Sequence, residues 1–302
     1  MKVLSCGFFP ALQRTVGFSE FRLGEVNRSE RVVNSVGGKS ANVARVLKPF
    51  EVENLLFGFS GGNIGAYIKQ LLDSEKIPYR FIETVTETRI CQTVLDDNAD
   101  DFTEIIEDSA PLSQAEWQTL RNTFAEIESD FDFIVFSGTL PSHAPVDIYA
   151  ELISLTDSAK VLLDTSGEPL LAALEQSPAI VKINADELVK TLGIEGDIES
   201  LSREMSVKYG CAAGITHGGG YALLAENGKM HRYNLPQVDV ISTLGCGDSV
   251  NAGITVALVN GKTLPDAFKF GLACGSANAT TPLPGMVDAA TVAQILPQIV
   301  RC

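Results

Sequence analysis

The chain has little that would tie it to a metal, a membrane or a nucleic acid. It carries three histidines and six cysteines, at 6, 91, 211, 246, 274 and 302, with no CxxC pair and no metal-ligand spacing. Most of the cysteines sit in apolar surroundings, as reduced thiols do. No apolar run approaches the roughly 18 residues of a membrane-spanning helix. The opening stretch MKVLSCGFFPALQ turns polar too soon for a secretory leader, so a cytoplasmic protein is expected. Positive charge is scarce. With 23 Lys+Arg against 38 Asp+Glu the net charge is −15 at pH 7, which argues against nucleic acid or an anionic membrane as a partner. An anionic ligand would need a local positive pocket within an acidic body.

What is there suffices for a full core, since 45% of the 302 residues are hydrophobic. Apolar runs alternate with helical periodicities. The stretches KVLSCGF, NLLFGFS, DFIVFSG, KVLLDTS, AIVKIN and CAAGITH read as buried strands. Helical patterns cover 40–49, 63–74, 113–128, 145–156, 185–191, 198–209, 247–260 and 263–279. This alternation predicts an α/β fold: a doubly wound, mostly parallel sheet flanked by helices, with ligands at the carboxyl ends of the strands. Residues 12–35 and 86–107 break the rhythm. They alternate in polarity without a helical period, and TETRICQTVLDDNADDFTEIIE reads as a hairpin turning near Asp97-Asn98. Together they predict a small β lid on one domain spanning 1–302.

Two glycine-rich stretches stand at helix starts. The first, VVNSVGGKSANVARVL at 32–47, contains Gly38-Lys39-Ser40 and looks like the end of a Walker A loop. That loop needs a glycine five positions before the GK pair and a buried strand ahead of it. Val33 holds the glycine position, and the preceding residues are polar, so the P-loop reading fails. What remains is a glycine turn into a helix, an anion or hydroxyl site by its dipole and free N–H groups. GFSGGNIG at 58–65 has the wrong spacing for GxGxxG and reads as a strand-to-helix turn. The second stretch, VISTLGCGDSVNAGI at 240–254, puts Gly245-Cys246-Gly247 at a helix entrance with Asp248 in the first turn. Such a turn stabilises charge on a transferring phosphoryl group, and a carboxylate beside it can accept a hydroxyl proton. Asp248 reads equally as a helix-start acid held by the dipole.

The STLGCGDS stretch resembles the D/S-T-x-G-A-G-D-S signature of the PfkB (ribokinase-like) carbohydrate kinases, and VGGKSANVARVL resembles their GGKGxNVAxxL motif. PALQRT, LGEVNR, the Thr88-Arg89 pair, FSGTLP, LDTSGE, KINADE and GSANATTP follow in the family's order over nearly the whole chain. The resemblance points to the branch acting on phosphorylated hexoses. It implies ATP and Mg²⁺, a fructose 1-phosphate acceptor ahead of tagatose 6-phosphate or fructose 6-phosphate, and a homodimer formed through the lid strands.

By the same resemblance Asp248 would be the base, and Gly245, Cys246 and Gly247 the anion hole. Gln13, Gly37, Gly38, Lys39, Asn42, Arg89 and Ser137 would meet the sugar phosphate, with Arg28 a second phosphate candidate. Lys182, Asn184, Thr216, Gly218, Gly220 and Asn278 would meet ATP, Asn278 near the adenine. Asn184 and Glu187 would hold Mg²⁺ through water; their spacing also fits a helix N-cap Asn with Glu at N3, a capping box lacking only its usual first residue. His217 is expected to be packed or half-exposed rather than catalytic. The chain departs from the pattern at Gln13 (for Asp), Ser40 (for Gly), Cys246 (for Ala) and Ile106 (for Asn). Cys246, at a helix N-terminus, is expected to have a lowered pKa and redox sensitivity. A kinase of an unphosphorylated sugar or nucleoside, and a non-catalytic sugar-phosphate sensor, are the competing readings.

Overall fold

The computed structural model describes residues 1–98, 101–193 and 196–302. In chain order the elements are β1 (Lys2–Cys6), β2 (Ala11–Phe18), β3 (Arg31–Gly37), α1 (Lys39–Leu47), β4 (Glu53–Gly61), α2 (Gly62–Glu75), β5 (Tyr79–Thr84), β6 (Ile90–Asp96) and β7 (Asp101–Ile106). There follow α3 (Gln114–Ile127), β8 (Phe133–Ser137), α4 (Ile148–Ser154), β9 (Val161–Asp164), α5 (Glu168–Leu174), β10 (Ile180–Asn184), α6 (Ala185–Leu192) and α7 (Ile198–Tyr209). The chain ends through β11 (Ala212–His217), β12 (Tyr221–Glu226), β13 (Lys229–Asn234), α8 (Cys246–Val259), α9 (Leu264–Ala279), α10 (Ala289–Ile295) and β14 (Val300–Arg301).

The six apolar runs all become strands of a ten-stranded sheet, ordered β14-β13-β12-β11-β10-β9-β8-β1-β4-β5. Every pairing from β5 to β11 is parallel, and the pairings among β11, β12, β13 and β14 are antiparallel. Strands such as β8, buried at all five positions, have helices on both sides, which is why they read as continuous apolar runs. One face packs on α3, α4, α5, α6 and α7 through Trp117, Phe124, Leu152, Leu170, Leu188 and Met205. The other packs on α1, α8, α9 and α10 through Val43, Ile254, Phe268 and Val292.

The periodicities missed β5, β12, β13, β14, α5 and α10. Strand β13, KMHRYN, is half-exposed and mostly polar, and α5 spans seven residues, too few to show a period.

The two polar segments form a second, four-stranded sheet, ordered β3-β2-β6-β7. β2 pairs β6 in parallel, and the outer pairings are antiparallel. The expected turn falls at Asp97-Asn98, after β6; Ala99 and Asp100 lie outside the described residues. Alternation sends Gln13, Thr15, Cys91 and Thr93 to one face, over the carboxyl ends of the large sheet. Leu12, Val36 and Ile90 point the other way, into a cluster with Ile68 and Leu72 of α2.

Candidate active site

Between the lid and the strand ends lies a cavity of about 620 Å³. Its walls include Gln13, Gly37, Gly38, Lys39, Asn42, Arg89, Ser137, Gly245 and Asp248, so the structure brings together the residues expected to meet the acceptor, apart from the second candidate Arg28, with one glycine of the expected anion hole. The other nucleotide-side residues, Lys182, Asn184, Thr216, Gly218 and Gly220, are not on these walls. Asn184 and Thr216 are register partners at the ends of β10 and β11, and the triple-glycine turn beyond them is exposed.

Two helix N-termini meet at the cavity floor. Helix α1 starts after Gly38, whose φ of 114° is one that only glycine adopts without strain. Helix α8 starts after Gly245, in the left-handed region at φ 74°, where an added Cβ would also meet Pro284 at 2.7 Å. They touch through one hydrogen bond: Asn42 Nδ2 donates to Asp248 Oδ2 at 2.8 Å. Arg45 Nη1 donates to Asn42 Oδ1 at 3.0 Å, which turns the amide so that its NH₂ faces the carboxylate.

The charges converge on Asp164, at the end of β9 and 1% exposed. Its carboxylate accepts from Lys39 Nζ at 2.7 Å, from Lys182 Nζ at 3.0 Å and from Asn251 Nδ2 at 2.6 Å. Burial opposes its charge, yet Lys182 and Lys39 hold its carboxyl well below the usual range. Burial likewise opposes the charge of Lys39, and Asp164 and Asp248 lift it above its ordinary value. Asp248 goes the other way. Burial, then the Asp164 charge, push its carboxyl up to about 6, against the pull of Lys39, Asn42 and Lys182. A carboxylate at that pKa is a competent proton acceptor near neutrality. Gly247 makes room for the neighbouring cation: a Cβ there would meet Lys182 Nζ at 2.7 Å. The first turn of α8 thus gathers N–H groups, an ammonium and a proton acceptor, which is what phosphoryl transfer to a hydroxyl requires.

Asp164, Asn251 and Arg45 were not singled out in the sequence. The signal for Asp164 was a carboxylate closing the buried strand VLLD, inside the LDTSGE stretch that was matched as a motif without a role for its acid.

Three expectations change. Asn278 is fully buried. It donates to Leu244 O at 2.7 Å and accepts from Gly285 N at 2.8 Å, so it braces the loop ahead of α8 and has no surface for an adenine. Burial, ahead of the opposing effect of Asn278, raises the Cys246 thiol pKa instead of lowering it. Asn184 and Glu187 form a complete capping box: Glu187 N donates to Asn184 Oδ1 at 2.8 Å, and Asn184 N to Glu187 Oε2 at 3.3 Å. The helix start thus occupies both side chains in part.

Arg89 lines the cavity; its guanidinium donates to the Glu107 and Phe9 carbonyls at 3.3 and 3.4 Å, and its buried Nε has no partner among the described residues. Arg28 is exposed in the β2–β3 loop and does not reach the cavity. Gln13 Nε2 donates to Thr93 Oγ1 at 2.8 Å, a tie across the lid sheet. His217, expected to be packed or half-exposed, is exposed and stacks on Tyr221, with centroids 4.9 Å apart, and is not on the cavity walls.

The sequence profile of the pfkB family carbohydrate kinases matches residues 11–287. The chain belongs to that family. Among relatives of this PfkB protein, 1-phosphofructokinase of Bacillus subtilis is 32% identical over 300 residues, covering 96% of each chain. Tagatose-6-phosphate kinase of Staphylococcus epidermidis is 29% identical over 309 residues, covering 98% of each. Phosphofructokinase-2 from Escherichia coli, solved in complex with fructose-6-phosphate, superimposes with a TM-score of 0.89 over 99% of this chain and 98% of that one, at 24% identity. That likeness fixes the PfkB fold as a large, mostly parallel sheet between helix layers with a small second sheet.

Proposed function

We propose that this PfkB protein is an ATP-dependent kinase that phosphorylates a hydroxyl of a ketohexose phosphate, with fructose 1-phosphate as the leading acceptor and tagatose 6-phosphate or fructose 6-phosphate as the alternatives. The observation that carries it is Asp248: a buried carboxylate with its pKa raised to about 6, in the first turn of α8 on the wall of the acceptor cavity. The relatives named for 1-phosphofructokinase and tagatose-6-phosphate kinase span nearly the whole chain, which supports this acceptor class.

In this reading the sugar phosphate lies in the cavity with its phosphate toward Arg89 and Ser137. Gly37, Gly38, Asn42 and Gln13 meet its hydroxyls. Asp248 takes the proton from the attacking hydroxyl. The N–H groups of Gly245, Cys246 and Gly247, with Lys182, stabilise the charge on the transferring phosphoryl group. Lys39, drawn toward Asp164 by a 2.7 Å ion pair, adds positive potential between acceptor and donor. ATP lies along the ends of β10 and β11, by Asn184, Thr216, Gly218 and Gly220.

The fit of Mg²⁺ follows from the donor set. Among the described residues no cluster of three or more His, Cys, Asp or Glu could hold a metal. One Glu187 oxygen serves the capping box, the other remains, and Glu187 lies within electrostatic reach of Lys39. That suits an ion that keeps several waters and enters with the nucleotide phosphates. Glu187 and Asn184 would hold it through water, and its chemistry there is to neutralise phosphate charge.

Body and lid are proposed to act as one kinase domain over 1–302, in the cytoplasm. The lid leaves Val32, Val33, Ile105 and Ile106 exposed on its two edge strands. A second lid would cover them, giving the homodimer; light scattering at micromolar concentration that returned a monomer would remove this part of the reading.

The test of the function is ADP release from Mg-ATP with fructose 1-phosphate, fructose 6-phosphate, tagatose 6-phosphate, fructose and ribose, beside Asp248→Asn. Turnover on one ketose phosphate that vanishes in the variant supports the kinase. Silence on all five, with a sugar phosphate still raising the melting temperature, would replace it with the sensor.

A further inference from the structure

We propose that Ser40 is a specificity-determining contact to the acceptor sugar phosphate, and that Gly7 is glycine in order to admit it. The proposal rests on the kinase reading above and adds a residue that the family motif, with glycine at this position, does not supply.

Strand β1 ends at Cys6, and Gly7 begins the loop that carries the chain to the lid. The segment is held firmly. Gly7 N donates to Phe57 O at 3.0 Å. Phe8 stacks on Tyr149 with centroids 5.2 Å apart, and the Tyr149 hydroxyl donates to Gly138 O at 2.7 Å. The first turn of α1 lands on this loop. A Cβ placed on Gly7 would lie 1.9 Å from Ser40 Oγ, 2.4 Å from Ser40 Cβ and 3.1 Å from Ser137 O. The backbone of Gly7 is not in the left-handed region, so conformation does not demand glycine there. The space occupied by the Ser40 side chain does. No side chain at position 7 can coexist with one at position 40 unless α1 moves.

The residue so admitted lines the cavity. Ser40 is 2% exposed and lines the acceptor wall, and among the described residues its Oγ has no hydrogen-bond partner. Ser137 is 1% exposed on the same wall, and its Oγ is also without one. A buried hydroxyl left unpaired costs free energy, so polar groups that go unmet inside a protein call for an explanation. Ser137 Oγ is such a group, and Ser40, whose hydroxyl is also without a protein partner among the described residues, lines the same cavity with Lys39, a set that matches an oxygen-rich anionic ligand. Ser40 then donates to an oxygen of the acceptor, and it acts on which ketohexose phosphate is preferred because a neutral, fixed donor rewards one placement of the phosphate over another.

The experiment has two arms. Ser40→Ala keeps the Cβ and the helix and removes only the hydroxyl. The expected result is a rise in KM for the preferred acceptor of about fivefold to tenfold, the worth of one hydrogen bond, with the ranking of the three ketohexose phosphates compressed and KM for ATP unchanged. In the second arm, Gly7→Ala lowers the melting temperature, and Gly7→Ala/Ser40→Gly melts higher than the sum of the single changes predicts. An active wild type whose acceptor KM and ranking do not move in Ser40→Ala overturns the contact. Additive melting temperatures overturn the steric pairing. Should the wild type turn over no hexose phosphate, the kinase reading fails and takes the acceptor role of Ser40 with it, while the coupling between positions 7 and 40 still registers in the melts.

Discussion

The two glycine-led helix starts at the cavity floor share a geometry and differ in charge. Helix α1 opens with a lysine and no acid in its first turn; α8 opens with an acid. Each start offers N–H groups and the positive end of a dipole. Beside α1 the cation Lys39 is drawn off to Asp164, so its N-terminus can meet neutral hydroxyls. Beside α8 the carboxylate sits in a low-dielectric pocket with a neighbouring acid, which raises its pKa and makes it a base. In the proposed reading, similar glycine turns serve binding in one place and chemistry in the other, and the side chain that follows the glycines decides which. Changing those side chains breaks the comparison most directly.

The largest effect is expected from Asp248→Asn. The amide keeps the volume and removes the base, so kcat should fall by about 10³-fold, within the range for a lost general base, while KM for the acceptor changes little. The same variant should melt higher at neutral pH. A carboxyl whose pKa is raised in the fold favours folding below its unfolded value and loses that contribution as pH climbs through about 6. Removing the charge recovers on the order of 2 kcal/mol at pH 7. A variant both less active and less stable would mean that Asp248 is chiefly a helix-start acid.

Lys39→Met tests the other helix start. If α1 serves binding, kcat/KM for the sugar phosphate should fall about 10- to 100-fold, most of it in KM, the cost of a lost charged hydrogen bond. A loss confined to kcat would move Lys39 to the transferring phosphoryl group and erase the distinction between the two helices.

How much of this contrast could be read in the sequence differed between its parts. The glycines and Asp248 were legible because a turn residue at a helix start has a local cause. Strands β1, β4, β8, β9, β10 and β11 were legible because burial on both faces writes an unbroken apolar run. Asp164 was not, because a carboxylate ending a strand looks like an ordinary boundary until Lys39 and Lys182, 125 and 18 residues away, are folded onto it. Gly7 was hidden for the same reason. Its need for glycine comes from Ser40, packed directly against it from another segment, and no spacing encodes a close approach between distant segments. The capping box at Asn184 had the opposite problem: one local pattern fits both a helix cap and a metal shell.

Asp164 links the two helix starts, and its removal sharpens the comparison through pH. Wild-type kcat/KM should drop tenfold per unit below pH about 6, as Asp248 takes up its proton. Asp164→Asn removes the second cause of the raised pKa, so the acid limb should move to lower pH while the plateau falls through misplacement of both lysines. The charge of Asp164 itself favours folding above the usual carboxylate range and is lost on acidification, because its folded pKa is depressed. The variant should therefore lose stability at pH 7 and approach wild type in acid. An acid limb that stays in place would show that burial alone sets Asp248.

The smallest effect is expected at Cys246, the one side chain in the α8 glycine turn. Its thiol approaches Asn278 Nδ2 at 3.5 Å and Ser242 O at 3.9 Å, and burial raises its pKa. A helix N-terminus alone would favour the thiolate; here burial raises the thiol pKa, so little thiolate should form at neutral pH and attack on mild oxidants should be slow. The proposed anion hole would use the backbone N–H of this residue, which any small side chain preserves. Cys246→Ala should therefore keep kcat/KM within about threefold of wild type, since it removes one weak contact. Both proteins should lose activity at the same slow rate in dilute hydrogen peroxide at pH 7. Rapid inactivation of the wild type alone would show that the dipole prevails over burial, and would make the α8 start a redox-sensitive site where the α1 start is not.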